Sequence, residues 1–169
     1  MYYINCFFIY SFIGFLIENI ASIIKNGKKG SGILYGPWTP IYGIGSIITL
    51  LISKIIFNIL KVKKILEVIM VLLVIMFILT FLEWLGGILI EKFFHVVFWD
   101  YRKLKFNIGK YIALEMSLVW GIGALLIIYV IQPILDKFIY LIPNYITYLL
   151  IILIIIDFSI ILTKKKTHK

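Results

Sequence analysis

Five long apolar stretches constrain this chain more than any other feature of its sequence. They cover Tyr3–Ile24, about Ile41–Leu60, Ile65–Ile90, Tyr111–Ile131 and Tyr145–Leu162. A helix needs about 20 predominantly apolar residues to cross the hydrocarbon core of a bilayer. Because lipid offers the backbone no hydrogen bonds, a spanning segment must pair its own amide groups, as a helix does. The sequence therefore predicts an all-α fold, a polytopic transmembrane helix bundle with about five spans that forms one integral membrane domain over residues 1–169.

The composition supports this class and excludes soluble ones. Hydrophobic residues make up 63% of the chain and charged residues 15%, whereas soluble domains are about 45–50% apolar and about 25% charged. The single cysteine, Cys6, excludes an internal disulfide. The 17 basic residues exceed the 8 acidic ones, and in a membrane chain such an excess flanks the spans and faces anionic lipid. We therefore expect the lipid bilayer, and not nucleic acid, as a partner.

The distribution of basic residues predicts how the spans are oriented. With the N-terminus outside the cell, twelve basic residues lie on the cytoplasmic side and five lie outside. Basic residues favour the cytoplasmic side of a membrane protein, so we expect an external N-terminus and a cytoplasmic C-terminus. The cluster of Lys61, Lys63 and Lys64 argues against this orientation, because it would lie outside.

Four glutamates inside or at the edge of the predicted spans form the first candidate site. They are Glu18, Glu83, Glu91 and Glu115, and the predicted orientation puts each in the cytoplasmic half of its span. An ionisable side chain in a bilayer costs about 2.5–3.5 kcal/mol on insertion scales. Glu83, Gly87 and Glu91 are spaced four apart and share one helix face. These acids either form structural hydrogen bonds between helices or converge on a site for a cation, a proton or a cationic group. In the second case we expect Glu18 to face Glu83.

Two further acidic residues have simpler interpretations. Glu67 lies three to four residues after Lys63 and Lys64, which predicts an ion pair at the membrane interface. Asp157 precedes Lys164 by seven residues, and the sequence leaves open whether it pairs with a lysine or reaches towards the interface.

The segment before the second span cannot continue as a regular helix. Between Gly32 and Gly45 it contains four glycines together with Pro37 and Pro40, and proline in a helix interior removes a hydrogen bond and clashes with the preceding turn. Irregular backbone at membrane depth is tolerated only where it is buried in protein or lines a water-filled cavity. This broken segment is either a loop with aromatic side chains at the interface or a re-entrant segment whose backbone lines a site.

A second irregular stretch, Phe98–Gly109, alternates aromatic residues with Asp100 and Asn107. This pattern is typical of an interfacial turn in which Asp100 or Asn107 caps the next helix. In the predicted orientation this stretch and the broken segment are both cytoplasmic, as are the glutamates. Asp100 and Asn107 therefore join the glutamates as candidate residues for binding a substrate or an ion.

The common enzyme motifs are absent from the sequence. It contains no Gly-x-x-x-x-Gly-Lys-Ser/Thr loop for the phosphates of ATP and no Gly-x-Ser-x-Gly elbow. His95 and His168 are too few and too far apart for a zinc site. We predict no catalytic residue, no metal and no cofactor.

A short sequence also occurs twice. Gly14–Glu18 reads Gly-Phe-Leu-Ile-Glu, Gly87–Glu91 reads Gly-Ile-Leu-Ile-Glu, and each precedes, after a loop, a span that contains Gly-Ile-Gly. The match is either an internal repeat of parallel helix pairs or chance in a chain rich in isoleucine and leucine.

Several motifs follow one another in a characteristic order between about residue 8 and Pro133. They are Gly14-Phe-Leu-Ile-Glu18, Tyr35-Gly36-Pro37-Trp38-Thr39-Pro40-Ile41-Tyr42-Gly43, Trp99-Asp100-Tyr101, Phe106-Asn107 and Trp120-Gly121. This succession resembles the type IV ABC-transporter permease family of bacterial membranes. After the Trp-Asp-Tyr motif that family usually has serine, where this chain has Arg102.

The resemblance implies an integral membrane transport protein of the bacterial cell membrane, a permease subunit that works with a separate ATPase chain. Two other classes stay open. One is an ion- or proton-coupled carrier that uses the carboxylates alone, and the other is a membrane-embedded enzyme or envelope-assembly factor with Asp100 or a glutamate as general base. Because five spans are few for a complete translocation path, we expect a homo- or hetero-oligomer.

Overall fold

The structure, a computed structural model, describes residues 1–28, 34–59 and 62–167, with Asn26 and residues 164–167 described by their backbone alone. Parts of the sequence predictions fall on residues outside these ranges. They are Lys29, Gly32 at the start of the broken segment, Leu60 at the end of the second predicted span, Lys61 in the loop that follows, His168 and Lys169.

Within the described ranges, five helices are long and apolar enough to cross a membrane. They are α1 (Tyr2–Asn26), α2 (Pro40–Ile59), α3 (Lys64–Phe94), a helical run over Leu114–Leu135, and α6 (Asn144–Thr167). Large apolar side chains are exposed along each of the five, as expected of surfaces that contact lipid in a membrane protein. The predicted all-α fold with five spans is confirmed.

The fourth helix begins three residues later than the predicted start at Tyr111. Ile112–Ala113 (β2) is extended and pairs antiparallel with Asn107–Ile108 (β1) in a two-stranded ladder, so helix α4 starts at Leu114. Local pairing with the preceding loop therefore takes these residues out of the helix, although their side chains are as apolar as those of the span.

The same run continues past its predicted end at Ile131 and passes through Pro133. It consists of α4 (Leu114–Leu126), a π-helical turn (Ile127–Ile131) and α5 (Gln132–Leu135). In the π-helical turn the Gln132 N–H donates to the carbonyl of Ile127, five residues earlier. A π turn interrupts the regular hydrogen-bond ladder of the helix. Because Pro133 has no N–H to contribute to that ladder, the irregular turn accommodates it without ending the helix.

The third helix extends four residues beyond its predicted end. It continues beyond Ile90 to Phe94 and ends where His95 adopts a left-handed conformation with φ of 56°. The His95 N–H donates to the carbonyl of Glu91, which satisfies one of the carbonyls left free at a helix end. Glu91 therefore lies inside α3, one turn before its end.

The chain packs as two units, of which the first comprises residues 1–47 and 135–169. Here α1 approaches the start of α2 closely at Gly43, where a Cβ atom would lie 2.6 Å from Cδ2 of Phe7. Near the start of α6, Thr147 donates a buried hydrogen bond of 2.6 Å to Asn5 of α1. Small residues and polar pairs of this kind are the usual means of joining helices in a membrane, where lipid is as apolar as the helices.

The second unit comprises residues 48–134. Its core joins Ile56 of α2 and Val71 and Ile75 of α3 to Ala124 of α4. At Gly121 of α4 a Cβ atom would lie 2.8 Å from Cδ1 of a leucine of α3, so the glycine permits the close approach of the two helices. The prediction of one integral membrane domain stays a prediction.

Candidate functional site

The broken segment of the first unit is bound by a buried carboxyl group of α6. The backbone before Pro40 is non-helical, and α2 begins at this proline, whose missing N–H costs no hydrogen bond in the first turn of a helix. Asp157, 5% exposed, accepts hydrogen bonds from the backbone N–H groups of Tyr35 at 2.9 Å and Gly36 at 2.7 Å. It also accepts one from Nε1 of Trp38 at 2.9 Å. Burying a polar group is costly unless it is hydrogen-bonded, and these three bonds compensate for the burial of the Asp157 carboxyl group.

Gly36 and Trp38 shape a cleft beside this turn. The Trp38 indole covers Gly36 so closely that a Cβ atom there would lie 2.8 Å from Nε1, which explains the glycine. An open cleft of about 320 Å³ is lined by the turn and by the face of α6 that carries Leu153, Ile156 and Ile160. Its walls are mostly apolar, so the cleft suits an apolar or amphipathic group.

Tyr42 joins the start of α2 to Glu18 of α1. Its hydroxyl donates a hydrogen bond of 2.6 Å to Oε1 of Glu18. Its ring lies against Gly14, where a Cβ atom would be 2.6 Å from the Tyr42 Cβ. Gly14 and Glu18 are one helical turn apart on one face, so a single tyrosine contacts both. Next to this contact the Thr39 N–H donates to the carbonyl of Ser11 at 2.9 Å.

Glu83 is a buried acidic residue within α3, in the second unit. Its side chain is 4% exposed, and Oε1 accepts a hydrogen bond of 2.5 Å from the Tyr101 hydroxyl. One turn earlier, Thr80 donates to Oγ of Ser117 at 2.8 Å, and Ser117 donates to the carbonyl of Ala113 at 3.0 Å. Successive turns of α3 therefore make polar contacts with α4 and the loop before it.

Glu91, two turns beyond Glu83, binds two side chains of the same loop. Its Oε1 lies 2.5 Å from Nζ of Lys110, and Oε2 accepts a hydrogen bond from the Tyr111 hydroxyl. The Tyr111 ring lies against Gly87, where a Cβ atom would be 2.6 Å from Cδ1. The hydrogen bond to Glu91 raises the pKa of Lys110, and burial together with the same carboxylate raises the pKa of Tyr111. Both side chains therefore remain protonated donors at neutral pH.

Asp100 and Asn107 are bound within the loop. The Arg102 guanidinium contacts Asp100 through Nε at 3.0 Å to both carboxylate oxygens and through a terminal nitrogen at 2.5 Å. This pair lowers the pKa of Asp100 to about 2, which makes it a weak general base at neutral pH. Asn107 donates to the carbonyl of Leu104 at 2.7 Å. The prediction that Asp100 or Asn107 caps α4 is wrong, because these bonds occupy both side chains and Ala113 stands at the cap position.

Glu115 lies in the first turn of α4, where a negative charge also suits the helix dipole. Its Oε1 accepts a hydrogen bond of 3.2 Å from the backbone N–H of Phe106. The Leu114 N–H donates to the Phe106 carbonyl at 3.0 Å. Glu115 therefore joins the start of the helix to the preceding loop.

The aromatic motif residues of the second unit hold the same loop together. Trp99 packs edge-on against Tyr111 with ring centroids 6.2 Å apart. The Tyr101 N–H donates to the carbonyl of Lys110 at 2.9 Å, which joins the two sides of the loop. Trp120 and Gly121 lie further along α4, with Trp120 half-buried.

The structure gives the predicted acidic residues separate partners. Glu18 is bound in the first unit, and Glu83, Glu91, Glu115 and Asp100 each have a partner of their own in the second. Within the described part of the chain, no group of three His, Cys, Asp or Glu side chains could hold a metal ion. The convergent acidic site, and the pairing of Glu18 with Glu83, stay predictions.

Sequence reasoning missed the roles of Asp157 and Tyr111. Asp157 accepts its hydrogen bonds from two backbone N–H groups and the Trp38 indole of a distant segment, partners that neither interpretation of the sequence named. The available signal was a lone acid in an apolar span of a chain that also contains an irregular segment with unpaired amides. The simpler prediction for Glu67 is confirmed, since it forms an ion pair with Lys64.

A comparison with protein families shows to which family the motifs of this chain belong. The sequence model of a family described as "Putative ABC-transporter type IV" matches residues 5–163. The chain belongs to this family. The match extends from α1 into α6 and includes the motifs that suggested it, so the resemblance is confirmed. This member of the type IV family is a membrane protein with several spans. No curated protein and no solved structure matches the chain.

Proposed function

We propose that this chain is the permease subunit of an ABC-type transporter in a bacterial cell membrane and that a separate chain supplies the ATPase. The family match over residues 5–163 carries the proposal. Five helices of the described ranges are long and apolar enough to form a membrane path, and the sequence has no Gly-x-x-x-x-Gly-Lys-Ser/Thr loop. ATP hydrolysis is therefore the partner's task, and this chain is not itself an enzyme.

In this proposal the N-terminus lies outside the cell and the C-terminus in the cytoplasm. The excess of basic residues on the cytoplasmic side supports this orientation. The loop between α3 and α4 then reaches the compartment that holds ATP. Because five spans provide little wall for a path, the chain assembles with itself or with another membrane chain.

Co-purification from native membranes in a mild detergent tests the proposal. We expect the tagged chain to recover an ATPase with a phosphate-binding loop, and the eluate to hydrolyse ATP. A five-span membrane protein of another family with the same tag is the control. A folded, monodisperse chain that brings down no ATPase in several mild detergents would contradict the proposal.

Glu83 favours one alternative, an ion- or proton-coupled carrier. It is 4% exposed within α3 and bonded to the Tyr101 hydroxyl, and ionisable residues inside a membrane commonly mark ion or proton pathways. The enzyme alternative gains no such support at Asp100, one of its proposed bases, because Arg102 lowers the pKa of that carboxyl group to about 2.

Vesicles that contain the purified chain alone distinguish the carrier from the permease. A trapped pH-sensitive dye reports proton flux under an imposed pH gradient, with empty vesicles as the baseline. Flux without ATP that is lost in Glu83→Gln and retained in Glu67→Gln would establish the carrier. Glu67 is a suitable control, since it is a glutamate of the same helix whose partner is an exposed lysine. The permease proposal expects no flux above the baseline.

A further inference from the structure

The same arrangement of a glycine, a glutamate and a tyrosine occurs once in each unit. In the first unit Tyr42 lies against Gly14 and donates to Glu18. In the second, Tyr111 lies against Gly87 and donates to Glu91. In both, the glycine and the glutamate belong to the duplicated Gly-x-x-x-Glu sequence. The tyrosine follows the loop after that helix, in the first turn of α2 in the first unit and directly before β2 in the second.

The geometry explains why each residue type is needed. Positions four apart lie on one helix face, about one turn or 5.4 Å from each other. The missing side chain of glycine lets the aromatic ring lie directly on the helix backbone. The glutamate one turn further on then meets the hydroxyl at the end of the ring. A Cβ atom would lie 2.3 Å from the tyrosine side chain at Gly14 and 2.6 Å from it at Gly87, so in both units the position of the ring requires the glycine.

The residues around the two arrangements differ, and the difference shows which glutamates occupy equivalent positions. Four residues before the glycine stands buried Tyr10 in the first unit and buried Glu83 in the second. Lys110 adds an ion pair to Glu91 in the second unit. The duplicated acids are therefore Glu18 and Glu91, whereas Glu83 occurs in one copy.

We propose that these contacts are two copies of one latch, which fixes the residue that follows a loop to the helix before that loop. Glu18 and Glu91 are positioning residues that hold a tyrosine in place, and the sequence repeat is an internal duplication of the latch. The proposal does not rest on the transport function, because the latch is a property of the isolated chain.

Double-mutant cycles on the purified chain in detergent test each copy. Tyr42→Phe keeps the ring and removes the hydroxyl, and Glu18→Gln keeps the volume and removes the charge. We expect each to lower Tm by roughly 2–4 °C and the double variant to lose no more than the larger single change, because both remove one contact. Tyr111→Phe and Glu91→Gln should behave in the same way, except that Glu91→Gln also loses the pair with Lys110 and costs more.

Alanine at the glycines gives an independent test. Gly14→Ala and Gly87→Ala displace the ring, so adding Tyr42→Phe or Tyr111→Phe in these backgrounds should cost nothing further. Gly123→Ala is the control background, because nothing lies within 4 Å of a Cβ atom there, and in it the tyrosine changes should keep their full cost. Additive losses within a copy, or an unchanged Tm in either Tyr→Phe variant, would overturn the latch.

Discussion

Asp157 illustrates how single polar residues stabilise irregular structure in this protein. Its carboxyl group binds the backbone N–H of Tyr35, 122 residues earlier in the chain, and two further donors of the same turn. Without these donors the carboxyl group, in a residue that is 5% exposed, would be buried without hydrogen bonds, and without the acid the three donors would lose the acceptor they share. The acid and the irregular backbone therefore compensate for each other, and neither is favourable alone.

We expect Asp157→Asn to destabilise the chain. Asparagine has only one acceptor oxygen, and its NH₂ group would face an N–H group that now donates to the second carboxylate oxygen. A buried group left without its hydrogen bond costs about 1–3 kcal/mol, and each kcal/mol lowers Tm by roughly 2–4 °C in a chain of this size. The tryptophan emission should also change, since Trp38 loses its partner. Glu67→Gln is the control with little effect, and an unchanged Tm in Asp157→Asn would contradict the assigned role.

The pair of Asp100 and Arg102 leads to a prediction about pH. Because the pKa of Asp100 in the folded chain is lowered to about 2, from an ordinary value of about 3.9, the pair stabilises the loop fully above that ordinary value. Its contribution is lost as the pH falls through about 2. The difference in Tm between the natural chain and Asp100→Asn should therefore be constant from pH 5 to pH 8. A difference that disappears within this range would mean that the carboxyl group titrates there.

At the scale of elements, prolines and loop contacts decide where the helices begin and end. Pro40 is the first residue of α2, while Pro133 lies within a helical run because the turn Ile127–Ile131 is π-helical. Pairing with β1, in the loop between α3 and α4, keeps β2 out of α4. Apolar sequence alone does not distinguish these outcomes, since each depends on which backbone groups find partners.

Replacing Pro37 and Pro40 by alanine together should remove the broken segment. A helix that continues through this region would use the amide groups that now bind Asp157. We expect membrane insertion to be intact, because insertion depends on the apolar spans, and capture of the ATPase to be lost. Pro133→Ala is the control proline variant and should retain capture. A double variant that still captures the ATPase would make the segment a simple loop.

At the scale of the whole molecule, the family match and the five apolar helices define a membrane protein, and the orientation is a proposal. It rests on twelve basic residues against five, and the cluster at Lys63 and Lys64 opposes it. Labelling from one side of the membrane therefore decides the orientation of the chain.

Single cysteines in a Cys6→Ser background, labelled with a membrane-impermeant thiol reagent, test the orientation. Cys6 itself is buried, so its replacement removes background without exposing a new surface. Cysteine at Lys63 should react in intact cells, and cysteine at Lys103 only after permeabilisation. The reverse pattern would place the loop between α3 and α4 outside and would contradict the proposal that this loop faces a cytoplasmic ATPase.

The sequence by itself determined the fold class, the five spans, the irregular segment before α2, the Glu67 ion pair and the family. These follow from local properties, namely the length of apolar runs, proline chemistry, the spacing of charges on a helix, and motifs in order. It did not reveal that Asp157 binds the backbone near Tyr35, that Tyr42 and Tyr111 bind Glu18 and Glu91, or that Asp100 and Asn107 leave α4 uncapped. Some of these contacts join residues far apart in the chain. In the others a side chain has several possible partners nearby. Only the tertiary structure decides them, because a buried polar group binds whichever partner the packing brings within hydrogen-bond distance.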